Sequence, residues 1–318
     1  MFGPALLRRL TVMVARFICI IPERLGRALA VAAGMLAWLL WRSERLRIIN
    51  TIDRVYNRLQ IAPPANLNLI VKRVFLHFAL NIFEIMRFPV ISSAELERKV
   101  IFHDIENLDQ ALNKGRGVIF ALPHIGNWEI LGAAIAKKGY KLNSFYLAQK
   151  TDELGSLLDH FRSFSGILLH DRDRGGIKAL KALKKGEILG MIADQDGANQ
   201  GVYLDFLGHF VSVPAGPANW SLKTGAVLVP LYSLRRGLSN TFDAWFLPGF
   251  TPEEAKNHQQ KVVKRTLKLC NWMQQLIMEN PHQYLWFYDR FKPRHHKWLA
   301  NVKKKQGEMY HGEPHYGS

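Results

Sequence analysis

The chain has 318 residues, 48% of them hydrophobic and 11% aromatic, which is enough apolar surface to bury a full core and excludes a disordered polypeptide. With 43 Lys and Arg against 26 Asp and Glu, its formal charge is +17 and its pI near 9.9, so it calls for an anionic partner: phospholipid headgroups, an acidic protein or nucleic acid. Nucleic acid fits worst, because no helix-turn-helix, zinc-ligand or RNP-type pattern occurs; the two cysteines, Cys19 and Cys270, lie in apolar helical patterns, which excludes a disulfide framework and suits a reducing, cytosol-facing location.

Two apolar runs open the chain, Leu10 to Ile21 interrupted by Arg16, and Ala28 to Trp41 bounded by Arg27 and Arg42. Each is shorter than the roughly 20 residues a spanning helix needs. They read as a membrane anchor lying in or along one leaflet, with a pair of soluble core helices as the alternative. A cleaved leader fits less well, since charges break any single apolar stretch. Arg42, Arg45 and Arg47 follow as a juxtamembrane basic cluster, a type of segment that anionic lipid attracts by about 1 kcal/mol per charge. Pro63-Pro64 marks a loop, and Leu67 to Met86 is then apolar around most of its circumference, as in a largely buried helix.

From Phe102 the pattern alternates between strand and helix. It predicts a helix near Ile105 to Leu112, a buried strand Val118 to Leu122 and a helix from Trp128. Further strands are expected at Asn143 to Leu147, Ile167 to Leu169, Ile188 to Ala193, Val227 to Leu234 and Phe242 to Leu247. Helices are expected at Asp152 to Phe164, Gly176 to Lys184 and Gly216 to Lys223, and from Pro252 to Glu279. The fold class this defines is α/β, a mostly parallel central sheet flanked by helices, with an N-terminal membrane-seeking helical extension. The expected division is 1–48 for the membrane-associated helices, 49–100 for a helical segment packed on the core or membrane, 101–298 for the α/β domain and 299–318 for a basic tail.

The chemistry gathers at the carboxyl edge of that sheet, where open α/β folds place their crevices. The strand ending at Leu122 delivers His124 to a turn, and Gly126-Asn127 breaks the chain before a helix whose first turn carries Glu129. Residues five apart cannot share a face of one continuous helix, so the two side chains meet only if His124 is in the turn and Glu129 in the helix. A carboxylate on one ring nitrogen would fix the tautomer and leave the other nitrogen to accept a proton. With no adjacent Ser or Cys, the base would act on a substrate hydroxyl. By spacing alone, a turn histidine beside a glutamate on a solvated helix face is the stronger reading.

Arg172 and Arg174 precede a helix running to Lys184, an anion site suited to a phosphate or, alternatively, an exposed basic loop. Asp194-Gln195-Asp196 follows the strand ending at Ala193 and could orient a substrate, support His124 or cap the next turn. It is not an EF-hand, because Ala198 stands where an oxygen ligand is needed. Arg235 and Arg236 end a later strand at the same edge.

Taken in order, His124-Ile-Gly-Asn-Trp-Glu129, the stretch Asp171 to Glu187, Asp194-Gln195-Asp196, Phe206-Leu207-Gly208, Gly216-Pro217-Ala218, Thr224-Gly225-Ala226 and Tyr284-Leu-Trp-Phe-Tyr-Asp-Arg290 resemble the lipid A biosynthesis lauroyl/myristoyl acyltransferase family, within the lysophospholipid acyltransferase superfamily. The resemblance spans about Phe102 to Arg294 and implies a membrane-associated enzyme at the inner (cytoplasmic) membrane, its catalytic domain on the cytoplasmic face. It implies transfer of a fatty acyl chain from acyl carrier protein or CoA to a hydroxyl of a membrane glycolipid, without metal or cofactor. His124 would be the general base and Glu129 its orienter. Asn127, Trp128, Lys150, Arg172, Arg174, Asp194, Gln195, Asp196 and Arg235 would bind substrate. Many relatives carry an Arg directly after the Tyr that ends the second strand; here Tyr146 is followed by Leu147, which leaves Lys150 as the nearest cation. The alternatives are another lipid acceptor, such as a lysophospholipid or a mannosylated phosphoinositide, or a membrane lipid-binding protein without turnover.

Overall fold

A computed structural model describes residues 13, 17–146, 160–171, 174–250, 255 and 257–291. Its centre is a seven-stranded sheet in the order β1-β9-β8-β2-β5-β3-β4. The strands are β1 (Val100–His103), β2 (Val118–Leu122), β3 (Leu142–Tyr146), β4 (Leu168–Asp171), β5 (Ile188–Ile192), β8 (Val227–Arg235) and β9 (Phe242–Phe246). Pairing is parallel everywhere except between β8 and β9. The expected mostly parallel α/β sheet is therefore present. A separate hairpin joins β6 (Val202–Phe206) to β7 (His209–Val213).

The apolar run Val118–Leu122 takes the middle of the sheet between β8 and β5 because it can be buried on both faces. Helices α5 (Glu106–Leu112), α6 (Trp128–Lys137), α7 (Gly176–Lys184), α8 (Gly216–Thr224) and α9 (His258–Glu279) connect and cover the strands. Two apolar clusters result, one on each side of β2: Ile119 and Ala121 join the side that holds Leu189, Leu228 and Met273, whereas Val118 and Phe120 join Ile130, Val229 and Phe246.

The N-terminal helices are α1 (Glu23–Leu40), α2 (Arg42–Arg58), α3 (Leu67–Met86) and the short α4 (Ser93–Lys99). Asn66 caps α3 through its side chain, which accepts from the Leu69 N–H. Two glycines of α1 permit its close packing on α3: a Cβ on Gly26 would lie 2.4 Å from the Phe83 ring, and one on Gly34 would lie 3.0 Å from the Phe75 carbonyl oxygen. The opposite face of α1 leaves Leu25, Leu29, Leu36, Leu39 and Leu40 exposed, followed by Trp41. Among the described residues no single helix is long and apolar enough to cross a membrane, and α1 and α2 meet at an 85° bend. The first apolar run, Leu10 to Ile21, lies mostly outside the described residues.

Three differences from the sequence reading have local causes. β1 was not expected; it is a four-residue edge strand, too short to show a period, that pairs with β9 rather than with a neighbour in sequence. The Phe206-Leu207-Gly208 stretch, expected only as a lead into α8, is the turn of a hairpin, with Leu207 at φ 52° and Gly208 at φ 71°. Arg47 contributes less to a lipid-facing cluster than expected, since it pairs with Glu44 and donates to the Trp286 and Phe287 carbonyls. Of the helix expected over Asp152 to Phe164, only 160–162 are described as helical.

Candidate active site

The turn after β2 is fixed before any chemistry is considered. Gly126 has φ 62°, and a Cβ there would lie 1.8 Å from the Ser233 carbonyl oxygen, so the chain passes β8 at a distance only glycine tolerates. Asn127 then caps α6, its side-chain oxygen accepting from the Glu129 and Ile130 N–H groups. Behind the turn, residues 283–285 form a backing strip: the Gly126 N–H donates to the Gln283 carbonyl and the Leu285 N–H to the His124 carbonyl.

His124 is placed at the carboxyl edge with its side chain 13% exposed. Its Nδ1 lies 2.8 Å from Asp194 Oδ1, and its backbone N–H donates to Asp194 Oδ2 at 2.9 Å. Asp194 is 2% exposed and sits just past β5, the neighbour of β2. Burial alone would raise its carboxyl; the facing His124 outweighs that and holds it below the usual carboxylate range. Asp194 is therefore the anionic member of the pair. Trp128 meets the His124 ring edge to face at 4.7 Å, and the buried Tyr284 phenol faces Asp194, with burial and then that carboxylate keeping it protonated. Arg290 ties the strip down, donating to the Asp194 and Ser212 carbonyls.

The carboxylate against the His124 ring is thus Asp194, whereas Glu129, expected there, lies against Arg162. Glu129 Oε1 is engaged by Arg162 Nε at 2.9 Å, Arg162 Nη2 at 2.6 Å and Trp128 Nε1 at 3.1 Å. Capping by Asn127 sets Glu129 in the first helical turn, beside Arg162 in place of the imidazole. Asn127 and Arg235, expected to touch substrate, are enclosed. Arg235, with a side chain 0% exposed, grips both oxygens of Glu84 at 2.5 and 2.6 Å and donates to Asn81; Asn127 donates to the same Glu84, as does Arg27 of α1. Asn81 in turn donates to the Gly126 carbonyl. Gln195 is half-buried beside Asp194. Asp196 caps a turn through the Ala198 N–H, and its own N–H donates to the Tyr288 hydroxyl. Arg174 is exposed at the start of α7. Lys150 and Arg172 lie outside the described residues.

Sequence reasoning missed Arg162 and Glu84, and singled out Tyr284 only as part of a motif, without a role beside Asp194. Each is distant in sequence from its partner, and no local spacing pairs them. Among the described residues no group of three or more His, Cys, Asp or Glu could hold a metal. A cavity of about 260 Å³ between β8, β9 and α9, lined by Tyr232, Trp245 and Trp272, contains none of the residues around His124.

The geometry is thus a histidine held on one nitrogen by a buried carboxylate at the strand edge of an α/β sheet. The family model described as bacterial lipid A biosynthesis acyltransferase matches residues 6–293, and the chain belongs to that family. It is 26% identical to a phosphatidylinositol mannoside acyltransferase of Mycolicibacterium smegmatis over 72% of this chain and 74% of the relative. To the protein of that name in Mycobacterium tuberculosis it is 28% identical over 47% of this chain and 49% of the relative. A lipid A biosynthesis acyltransferase of Haemophilus influenzae is 21% identical over 71% and 69%. The protein is an acyltransferase acting on a lipid acceptor.

Proposed function

We propose that the chain moves a fatty acyl group from a thioester, on acyl carrier protein or CoA, to a hydroxyl of a membrane glycolipid. The observation that carries this is the 2.8 Å contact between His124 Nδ1 and Asp194, which leaves Nε2 as the basic nitrogen. In the reaction His124 Nε2 takes the proton of the acceptor hydroxyl while its oxygen bonds to the thioester carbonyl carbon. The C–S bond then breaks, and the proton passes from His124 to the departing sulfur. Asp194 keeps the imidazole in the required tautomer and steadies the imidazolium. Glu129 and Arg162 hold each other and the Trp128 indole at the rim.

For the acceptor, the family's description supports a lipid A precursor type, and the phosphatidylinositol mannoside relatives support a mannosylated phosphoinositide as the second reading. Placement at the inner membrane, on its cytoplasmic face, is supported by the exposed leucine face of α1 and the adjoining Trp41 and Arg42. The test is acyl transfer from labelled acyl carrier protein or acyl-CoA into a total membrane lipid extract, with wild type and His124→Ala in parallel. A labelled lipid formed only by wild type supports the reading, and its mass identifies the acceptor. Folded protein that forms no His124-dependent product with either donor would leave a lipid-binding role.

A further inference from the structure

The helix α7 divides cleanly into two faces. Ala179, Ala182 and Leu183 are buried against the sheet, while Arg174, Ile177, Lys178, Lys181, Lys184 and Lys185 are exposed. The spacing 174, 177, 178, 181 and 184 puts them on one stripe. The stripe is only partly explained by its own helix. Lys181 and Lys184 lie in the last turn, where the helix dipole favours cations, but Lys178 sits in the first turn, where it disfavours them, and α7 contains no acidic residue to separate lysines three and four apart. No described residue forms a salt bridge with any of these four lysines. In their midst Ile177 is 71% exposed, a large apolar side chain ringed by cations.

The position matters as much as the charge. α7 follows β4, and β4, β3, β5 and β2 are all parallel, so the Arg174 end of the stripe lies on the same edge of the sheet as His124. Three strand spacings separate β4 from β2, about 14 Å at the usual interval between strands. A partner seated on the stripe could pass a long flexible arm along that edge to His124.

From these observations we propose that the exposed face of α7 is the docking site for the acyl donor's protein carrier, an acidic helical protein that lays a carboxylate-lined helix along Arg174, Lys178, Lys181 and Lys184 and covers Ile177. The proposal rests on the acyl-transfer reading and adds to it the surface on which a carrier-borne donor is seated. Charge complementarity of this kind acts chiefly on encounter and register.

The test uses the full chain, with Lys178→Glu/Lys181→Glu as the variant, acylated acyl carrier protein and acyl-CoA as donors, and labelled holo carrier protein for direct binding. The expected result is a KM for the carrier-bound donor raised roughly tenfold or more, kcat within about twofold of wild type, and kcat/KM for acyl-CoA within about twofold. Wild-type carrier binding should also weaken steeply with salt, which checks the surface without any substitution. Equal carrier affinity in variant and wild type would overturn the proposal, as would an equal loss with both donors. Transfer from acyl-CoA by a wild type that does not bind the carrier would overturn the docking site and leave the transferase standing. Binding of the carrier through α7 without transfer from either donor would do the reverse.

Discussion

Two charged clusters lie within one turn of chain from each other, and they use charge in opposite ways. Around Glu84, two arginines and Asn127 satisfy both carboxylate oxygens, and Arg235 is wholly enclosed. Around Asp194, the carboxylate is also buried, but its partner His124 keeps one ring nitrogen uncommitted and its side chain partly exposed. The comparison teaches that burial of charge does not itself mark a catalytic group. The His124 site leaves an imidazole half satisfied at the sheet edge, whereas the Glu84 site joins α1, α3 and β8 to the turn after β2.

On this division, substitutions in the two clusters separate activity from stability. On the proposed mechanism His124→Ala should lower kcat by about 10³ to 10⁴, because the proposed base is gone, with a smaller loss of stability than Glu84→Ala, because the buried Asp194 carboxylate loses the imidazole but keeps the backbone N–H of residue 124. Steady-state transfer and a thermal melt check both halves. Glu84→Ala should do the opposite, destabilising the fold by about 3–5 kcal/mol because Arg235 and Arg27 lose their counter-charge in an enclosed place; urea denaturation reads it. Asp194→Asn is intermediate: the imidazole loses the carboxylate that holds its tautomer, and kcat should fall by about 10² or more without the large loss of stability. An Asp194→Asn enzyme with wild-type kcat would return the orienting role to another group.

The smallest expected effect is on acid stability and involves His77, which is 4% exposed behind the turn. Burial, followed by Arg235, His282 and Arg73, lowers its pKa from 6.5 to about 3. The unfolded chain therefore binds a proton between those two pH values that the folded chain refuses, so stability falls as pH drops below 6.5. From pH 7 to pH 5 the loss attributable to this group is about 2 kcal/mol. A His77→Gln variant should show a correspondingly shallower fall in denaturation midpoint over that interval.

Much of this was legible in the residues. The run Val118–Leu122, the breaker Gly126-Asn127 and the apolar periodicity of Leu67–Met86 each specify their element locally, and the strand-helix alternation defines the sheet. His124 was placed by the same local rules. What could not be read was which carboxylate faces it. Glu129 is five residues away and Asp194 is 70, yet parallel pairing of β2 with β5 brings the distant one to the imidazole, while capping by Asn127 commits the near one to Arg162. Arg235 misled for a related reason: an arginine at a strand end looks available for substrate, and only the packing of α3 reveals Glu84 against it.

The strip at residues 283–285 has a consequence for the order in which the molecule becomes competent. Every strand of the sheet, His124 and Asp194 precede it in the chain, so a chain ending at α9 already holds the imidazole and its carboxylate. It lacks the Gln283 carbonyl that accepts from Gly126, the Leu285 N–H that donates to the His124 carbonyl, and Arg290, which anchors the Asp194 backbone. The turn that carries the imidazole is therefore completed by residues 283–290, more than 150 positions further along the chain.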